Sequence, residues 1–548
     1  MLVSEAVGRT LAQLGPRYIF GLIGSGNFHV SNTMVREGRR FVAARHEGGA
    51  ICMADAYAQV SGELGMCTVH QGPGLTNAMT GLTEAAKSRT PLVLVAADTA
   101  AAAVRSNFRI AQEQLVDSVG ALHERVLSPE TAVADATRAV HTAWHKRRPV
   151  VLMLPLDIQA MECPAAIDAA PATRVAPSQP AQQSVQEAAQ ALIQAKRPLI
   201  LAGRGAKVSQ AREAIQQLAE TLGGLLATSA VGNGLFANNQ WALGISGGFA
   251  SPTAAELIGQ ADVVLGFGIA LNMWTTRHSR LLGPTATVIQ IDDDPEAIGA
   301  HHRVDVGIVG DARETATALR TELEHRGYEG SGWRSRELAE RIREGAWQVT
   351  PYADASDGTR IDPRTLSNRL DEILPLERTV AIDSGHFMGY PAMHLRVPDE
   401  KAFVFTQAFQ AVGLGLATAI GAAVARPDRL TVAALGDGGT MIGLADLETV
   451  ARLGLRMLIV VYNDAAYGAE VHHFGPHGHP LDLVRFPDVD FAALGRAVGL
   501  QAMTVRTAAG LEGLRVWVQQ GCNPAMVLDA KVVPTVVAEW LEEAFRGH

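Results

Sequence analysis

Cysteine is scarce in this 548-residue chain. The four present, Cys52, Cys67, Cys163 and Cys522, show no Cys-x-x-Cys spacing, so neither a zinc site nor a disulfide framework is implied. They read as buried, reduced thiols. Basic runs are missing too, and a formal net charge of -9 with a pI near 6.0 argues against a general nucleic-acid binder. No segment approaches 18 uninterrupted apolar residues, so no membrane partner is expected. The start, Met1-Leu2-Val3-Ser4-Glu5, lacks both a basic n-region and an apolar h-region, and the expected location is the cytoplasm.

What the chain does have is apolar residues, 47% of the total, enough for large cores, and a length that suggests about three to four domains. Residues 2 to 160 alternate helical periodicity with short apolar strands. Tyr18–Ile23, Phe41–Ala44, Gly65–Val69, Pro91–Ala96 and Pro149–Leu154 are the expected strands. Turns of glycine and polar residues close several of them, as in Gly24-Ser25-Gly26-Asn27 and His70-Gln71-Gly72-Pro73-Gly74-Leu75-Thr76-Asn77. Repeated strand, turn, helix units of this length point to a doubly wound parallel sheet.

Pro164 to Gln183 has no periodicity and reads as a linker. A second alternating unit follows, with strands expected at Pro198–Gly203, Leu225–Ala227, Ala261–Phe267 and Thr287–Ile291. It reads as a smaller Rossmann-like domain, although Gly203-Arg204-Gly205-Ala206 lacks the full Gly-x-Gly-x-x-Gly spacing. A charged, poorly periodic stretch, His325 to Arg360, leads to a third unit. The expected architecture is α/β, with three doubly wound parallel-sheet domains at residues 1–163, 184–325 and 362–548.

Polar chemistry concentrates in the third unit. A strand, Thr431–Leu435, enters Gly436-Asp437-Gly438-Gly439-Thr440, and a second, Met457–Val461, delivers Tyr462-Asn463-Asp464-Ala465-Ala466-Tyr467. In an open parallel sheet, carboxyl ends of neighbouring strands form one crevice, so Asp437 and Asp464 can share a cation there. Two carboxylates and a carbonyl suit a hard ion such as Mg²⁺ or Ca²⁺. The glycines let backbone amides approach a diphosphate at the start of the next helix.

Gly436-Asp437-Gly438, a spacer and Asn463-Asp464 resemble the diphosphate-anchoring motif of thiamine diphosphate enzymes. The resemblance implies a Mg²⁺ site of Asp437, Asp464 and the Ala466 carbonyl. It departs from the family at Asp464, where the second of two asparagines is usual, so the metal would meet an extra negative charge. In the first unit, Arg45-His46-Glu47 followed by Gly72-Pro73-Gly74-x-Thr76-Asn77 resembles the pyrimidine-binding domain of the acetolactate synthase and pyruvate decarboxylase branch. There Glu47 would bond the aminopyrimidine nitrogen and promote its imino form, which needs a carboxyl group held in an apolar pocket.

The resemblance spans the chain as pyrimidine-binding, central Rossmann-like and diphosphate-binding domains, and it suggests further site residues. Ser25 and His70 fall where benzoylformate decarboxylase has a substrate-binding serine and an acid/base histidine. Gln112 matches a pocket glutamine, Glu470 a catalytic glutamate, and Val412 the residue that wedges the cofactor into its bent form. Gly385 and His386, in Ile382-Asp383-Ser384-Gly385-His386, resemble a diphosphate-contacting loop, together with Gly438, Gly439, Tyr467 and Gly468. Asn27 is a further pocket candidate. Among His472, His473, His477 and His479, only His473 is expected to angle towards the cofactor. FAD is not expected, because Ile269-Ala270-Leu271-Asn272-Met273-Trp274 lacks the stretch that flavin-using relatives carry.

The expected enzyme depends on thiamine diphosphate and Mg²⁺ and makes or breaks a C–C bond next to a carbonyl, by decarboxylation or carboligation of a 2-oxo acid, aldehyde or 2-hydroxy ketone. It should work as a homodimer or homotetramer, with Glu47 and Asp437 meeting one cofactor from different subunits. A 2-hydroxyacyl-CoA lyase or benzaldehyde lyase-type enzyme is the alternative; against the CoA-linked form stands a tail, Trp540 to Phe545, with no evident closing segment. An idle scaffold is the third reading, opposed by the intact Glu47 and Asp437. Which substrate is used depends on side-chain packing across two chains.

Overall fold

The computed structural model describes residues 1–164 and 175–546, so much of the linker expected over Pro164–Gln183 lies outside the described residues. The first sheet contains β1 (Tyr18–Gly21), β2 (Arg40–Ala43), β3 (Gly65–Val69), β4 (Leu92–Asp98), β5 (Leu122–Arg125) and β6 (Pro149–Pro155). The second holds β7 (Pro198–Ala202), β8 (Leu225–Thr228), β9 (Ala242–Ile245), β10 (Val263–Phe267), β11 (Thr287–Asp292) and β12 (Val306–Val309). The third holds β13 (Arg378–Ile382), β14 (Phe403–Phe405), β15 (Leu430–Gly436), β16 (Met457–Asn463), β17 (Gln501–Val505) and β18 (Met526–Lys531). Pairing within each sheet is parallel, and the fold is α/β, as the alternating pattern implies.

Sheet orders are β2-β1-β3-β4-β6-β5, β12-β11-β10-β7-β8-β9 and β14-β13-β15-β16-β18-β17. The first and third are the same topology, strand for strand. The second is a Rossmann order, reversing direction between β7 and β10. Central strands such as β4, β6, β15 and β16 are buried along their whole length, which is why they read as unbroken apolar runs. Edge strands β2, β5 and β12 are half-exposed.

The stretch expected as a poorly periodic connection, His325 to Arg360, contains a helix, Arg336–Glu344. Its apolar content is little more than Leu338 and Ile342, one turn apart, which pack into the central domain's core. Charges on every other face hide that period in the sequence.

The first and third domains share one core. Helix Glu47–Ser61 packs against helix Gly415–Ala425, with Ala50, Ile51, Met53 and Ala54 buried against Ala419, Ile420, Ala422 and Ala423. Both helices are rich in small residues, and small residues let helix axes approach. The closest point is Gly421, where a Cβ would stand 2.1 Å from the Met53 carbonyl oxygen. Gly421→Ala should therefore force the helices apart at a cost of about 1–3 kcal/mol, the usual range for overpacking. A lowered urea midpoint is expected; an unchanged one would mean that the two domains do not pack this way in solution.

Candidate functional site

Parallel pairing of β15 with β16 sets Gly436 opposite Tyr462, so the chain leaves both strands at the same level. Asp437 then opens the helix Asp437–Ile442, and Asp464 begins the turn after β16. Their carboxyl groups face each other within hydrogen-bonding reach. Burial holds both well above the usual carboxylate range, and the charge of Asp437 raises Asp464 further. Two buried carboxyls this close cannot both ionise cheaply without a cation between them.

The surrounding backbone leaves no room for side chains. A Cβ on Gly438 would meet the Tyr467 ring at 2.5 Å, one on Gly439 the Asp383 Oδ2 at 2.2 Å, and one on Gly468 the Asp464 Oδ2 at 2.6 Å. Ala465 takes φ 61°, and Ala466 N–H donates to Asp464 Oδ1 at 3.2 Å, which curls the turn around the carboxylate. Asn463 is buried behind it and braces the strand end, donating to Asp488 Oδ1, Val489 O and Asp529 Oδ1.

Asp437, Gly438, Gly439, Asp464, Ala466, Tyr467, Gly468 and Glu470 all line a cleft of about 1430 Å³. Gly385, His386 and Val412 line it as well, so the expected diphosphate-binding residues converge. His386 Nε2 accepts from Ala538 N–H at 2.9 Å, and burial beside the His472 ring pulls its pKa down to about 3. The ring is therefore neutral, with its proton on Nδ1, a donor that faces Gly468.

His473 is not where it was expected. It stacks on Phe545 at 3.9 Å, and Phe545 occupies the cleft wall instead; the histidine packed on His386 is His472. The tail likewise differs from expectation. Helix Trp540–Ala544 lies along the cleft, with Trp540, Leu541, Ala544 and Phe545 in its lining. Glu543 ties it to the central domain through Arg280, and its carbonyl through His278 Nε2 at 3.0 Å. The absence of a closing segment is thus no argument against any reading. The opposite cleft wall comes from the central domain, with Arg204 and Gly268 at the ends of β7 and β10.

Ser25, Glu47, His70 and Gln112 are not among the residues lining this cleft. They cluster at the carboxyl ends of the first sheet, positions that match those of the third-domain site because the two sheets share one topology. Glu47 begins its helix behind the cap His46, whose Nδ1 accepts from Gly48 N–H at 3.0 Å. It is 8% exposed, and Asn77 Nδ2 donates to its Oε2 at 3.0 Å, joining the two first-domain motifs. His70 Nδ1 bonds the Gln71 carbonyl at 3.0 Å, which leaves Nε2 to accept from the Ser25 hydroxyl at 3.3 Å. Gln112 is engaged at both ends with backbone, Oε1 to Gly72 N–H at 2.9 Å and Nε2 to Ala97 O at 3.1 Å. Asn27 holds the turn that carries Ser25, accepting from Gly24 N–H and donating to Leu22 O and Thr68 Oγ1.

Two carboxylates that sequence reasoning passed over hold the halves to each other. Asp446 of the third domain accepts from Arg45 N–H at 2.9 Å, two residues before Glu47. Glu84 of the first domain accepts from Ala408 and Phe409 N–H, just before Val412. Each sits on a helix as an ordinary acidic residue, and nothing local in the sequence marks it.

Asp437 and Asp464 suit a hard cation by chemistry and geometry. Among the described residues no three His, Cys, Asp or Glu side chains converge, so an ion here would complete its shell with the Ala466 carbonyl, water or phosphate oxygens. Also among the described residues, no helix is long and apolar enough to cross a membrane.

Residues 1–121 match the family model for the thiamine pyrophosphate enzyme N-terminal TPP binding domain, 185–319 that for the central domain and 383–527 that for the C-terminal TPP binding domain. The chain is 30% identical to the sulfoacetaldehyde acetyltransferase of Alcaligenes xylosoxydans xylosoxydans over 86% of its own length and 82% of that protein. It is 29% identical to a probable 2-ketoarginine decarboxylase of Pseudomonas aeruginosa, covering 91% of this chain and 88% of the relative. A probable acetolactate synthase large subunit of Methanocaldococcus jannaschii is 26% identical, with 91% and 86% covered. With three successive domains matched in order over most of its length, this chain belongs to the thiamine pyrophosphate enzyme family.

Proposed function

We propose that the chain is a thiamine diphosphate- and Mg²⁺-dependent enzyme that decarboxylates or joins 2-oxo acids and aldehydes, in the manner of acetolactate synthase. The observation that carries the metal-dependent reading is the facing pair Asp437 and Asp464 at adjoining strand ends. Mg²⁺ would be held by these carboxylates and the Ala466 carbonyl, and the diphosphate by the amides of Gly438 and Gly439 with His386 Nδ1–H beside them. Val412, stiff and 41% exposed in the cleft wall, would prop the cofactor. When bound, the cofactor supplies a carbon nucleophile and an electron sink.

The chain's own residues supply proton handling and orientation. Glu47, buried and oriented by Asn77, would exchange a proton with the aminopyrimidine nitrogen. His70 Nε2, oriented by the Gln71 carbonyl and bonded to Ser25, would exchange one with a substrate oxygen. Glu470, in the cleft wall, is a second acid/base group. Gln112 and Asn27 would act by shaping the turns that carry the others.

Because Glu47 and His70 lie off the cleft of their own chain, a complete site needs a second copy. Both half-sites carry exposed apolar side chains that such a copy would cover: Phe108, packed on His70, is 43% exposed, and Ile442, packed on Gly413, is 62% exposed. A homodimer, with a homotetramer as its higher assembly, follows. The tail along the cleft and the cleft's reach to Arg204 favour a second reading, a 2-hydroxyacyl-CoA or 2-hydroxy ketone lyase. A panel of 2-oxo acids, aldehydes and 2-hydroxy ketones, followed by CO₂ release and ketone formation, separates the two.

Apo protein should take up thiamine diphosphate only with a divalent cation, and Asp437→Ala should abolish that dependence together with tight binding; cation-independent binding of equal affinity in a fluorescence titration would defeat the metal assignment. Glu47→Gln should keep the cofactor and lose about 10²- to 10⁴-fold of activity. Mixing it with Asp437→Ala after dissociation should restore part of that loss, whereas a fully active monomer in ultracentrifugation would rule out the shared site. His70→Ala should lower turnover at least about tenfold, a barrier change of about 1.4 kcal/mol, with cofactor affinity held within about threefold.

A further inference from the structure

The segment from Thr406 to Leu414 forms part of the cleft wall and has no regular secondary structure. Gln407, Ala408, Gln410 and Val412 all face the cleft. Its backbone is not a relaxed one, since Gln410 takes φ 60° and Gly413 φ 93°. A side chain in the left-handed region persists only where the surroundings hold it.

Two buried carboxylates provide that hold. At the C-terminal end, Asp383 accepts from Gly413 N–H at 3.0 and 3.1 Å and also from Ser384 N–H at 2.8 Å. That contact is made within the third domain. At the N-terminal end the partner is Glu84, on the first-domain helix Pro73–Lys87. Its Oε1 accepts from Ala408 N–H at 3.0 Å and its Oε2 from Phe409 N–H at 2.7 Å, while Ser88 Oγ donates to Oε1 at 3.2 Å. Glu84 is 1% exposed, so these donors, together with the charge of Arg204, offset the cost of burying its own charge. One turn along, Lys87 Nζ stands 5.8 Å over the Phe409 ring.

We propose that Glu84 is a positioning residue: reaching from the first domain, it fixes the Ala408–Val412 backbone and so sets where Val412 stands in the cleft. The carboxylate suits the task because one group with two acceptor oxygens satisfies two successive amides, and charge-assisted bonds of this kind are about twice as strong as neutral ones. An amide in its place offers one acceptor and turns an N–H₂ towards the second N–H. Burial raises the pKa of Glu84, and the amides of Phe409 and Ala408, with the Ser88 hydroxyl, pull it back.

The first test needs no cofactor. In the wild-type apo protein, hydrogen exchange resolved to single residues should find Ala408 and Phe409 amides protected; free exchange at both would overturn the proposal. In Glu84→Gln, exchange over 406–413 should quicken at least about tenfold, while 415–425 and 430–436 stay as in wild type. Unchanged exchange over 406–413, or an equal rise throughout 415–425, would overturn it, the latter by making Glu84 a general domain-packing residue. The second test rests on the thiamine diphosphate reading. With Mg²⁺ present, Glu84→Gln should bind thiamine diphosphate at least about fivefold more weakly while turnover at saturating cofactor falls less than about threefold. An affinity within twofold of wild type would overturn the link from Glu84 to Val412. Wild-type protein that takes up no thiamine diphosphate would defeat the functional reading instead, and the exchange result alone would then decide the role of Glu84.

Discussion

The contact between helix Glu47–Ser61 and helix Gly415–Ala425 is the constraint on which the rest of this molecule depends. Gly421 meets the Met53 backbone directly, so the two helices touch along their main chains rather than through long side chains. Such a contact has little slack, and it fixes the first domain against the third. With Ala50 to Ala54 spent on that interface, the N-terminal end of the same helix carries Glu47 off the cleft that holds Asp437. One helix contact thus both joins the domains and sets Glu47 apart from Asp437 within the chain.

The same packing of the first domain on the third brings Asp446 and Glu84 to their partners. Each lies in one domain and bonds backbone N–H groups of a loop in the other, Asp446 before Glu47 and Glu84 before Val412. Loops at the ends of parallel strands have no ladder partners of their own, so their N–H groups must find acceptors elsewhere. Carboxylates from the facing domain answer that need, and they tie loop geometry to domain packing.

Charge at the cofactor end follows different logic. Asp437 and Asp464 are buried beside each other, and among the described residues no cationic side chain stands out as their partner, an arrangement that costs free energy unless a cation shares it. His386 remains neutral within the same wall because burial, not a charged neighbour, dominates its protonation.

Much of this was legible in the residue order. Central strands such as β4, β6, β15 and β16 announce themselves as apolar runs, and glycines near Asp437 and Asp464 mark where backbone must come close, so these strands and the turns after β15 and β16 could be read directly; β13 and β18, buried but carrying Arg378, Asp529 and Lys531, could not. Edge strands such as β5 and β12 could not, because half-exposed strands carry mixed residues. Nor could the roles of Glu84, Asp446 and the C-terminal tail, since each depends on a partner hundreds of residues away. His473 shows the limit most clearly: its helix is local, but the ring that covers it, Phe545, arrives from the end of the chain. Local pattern and turn chemistry are short-range and survive in sequence; which surfaces meet is decided by packing between domains, and only the tertiary structure records it.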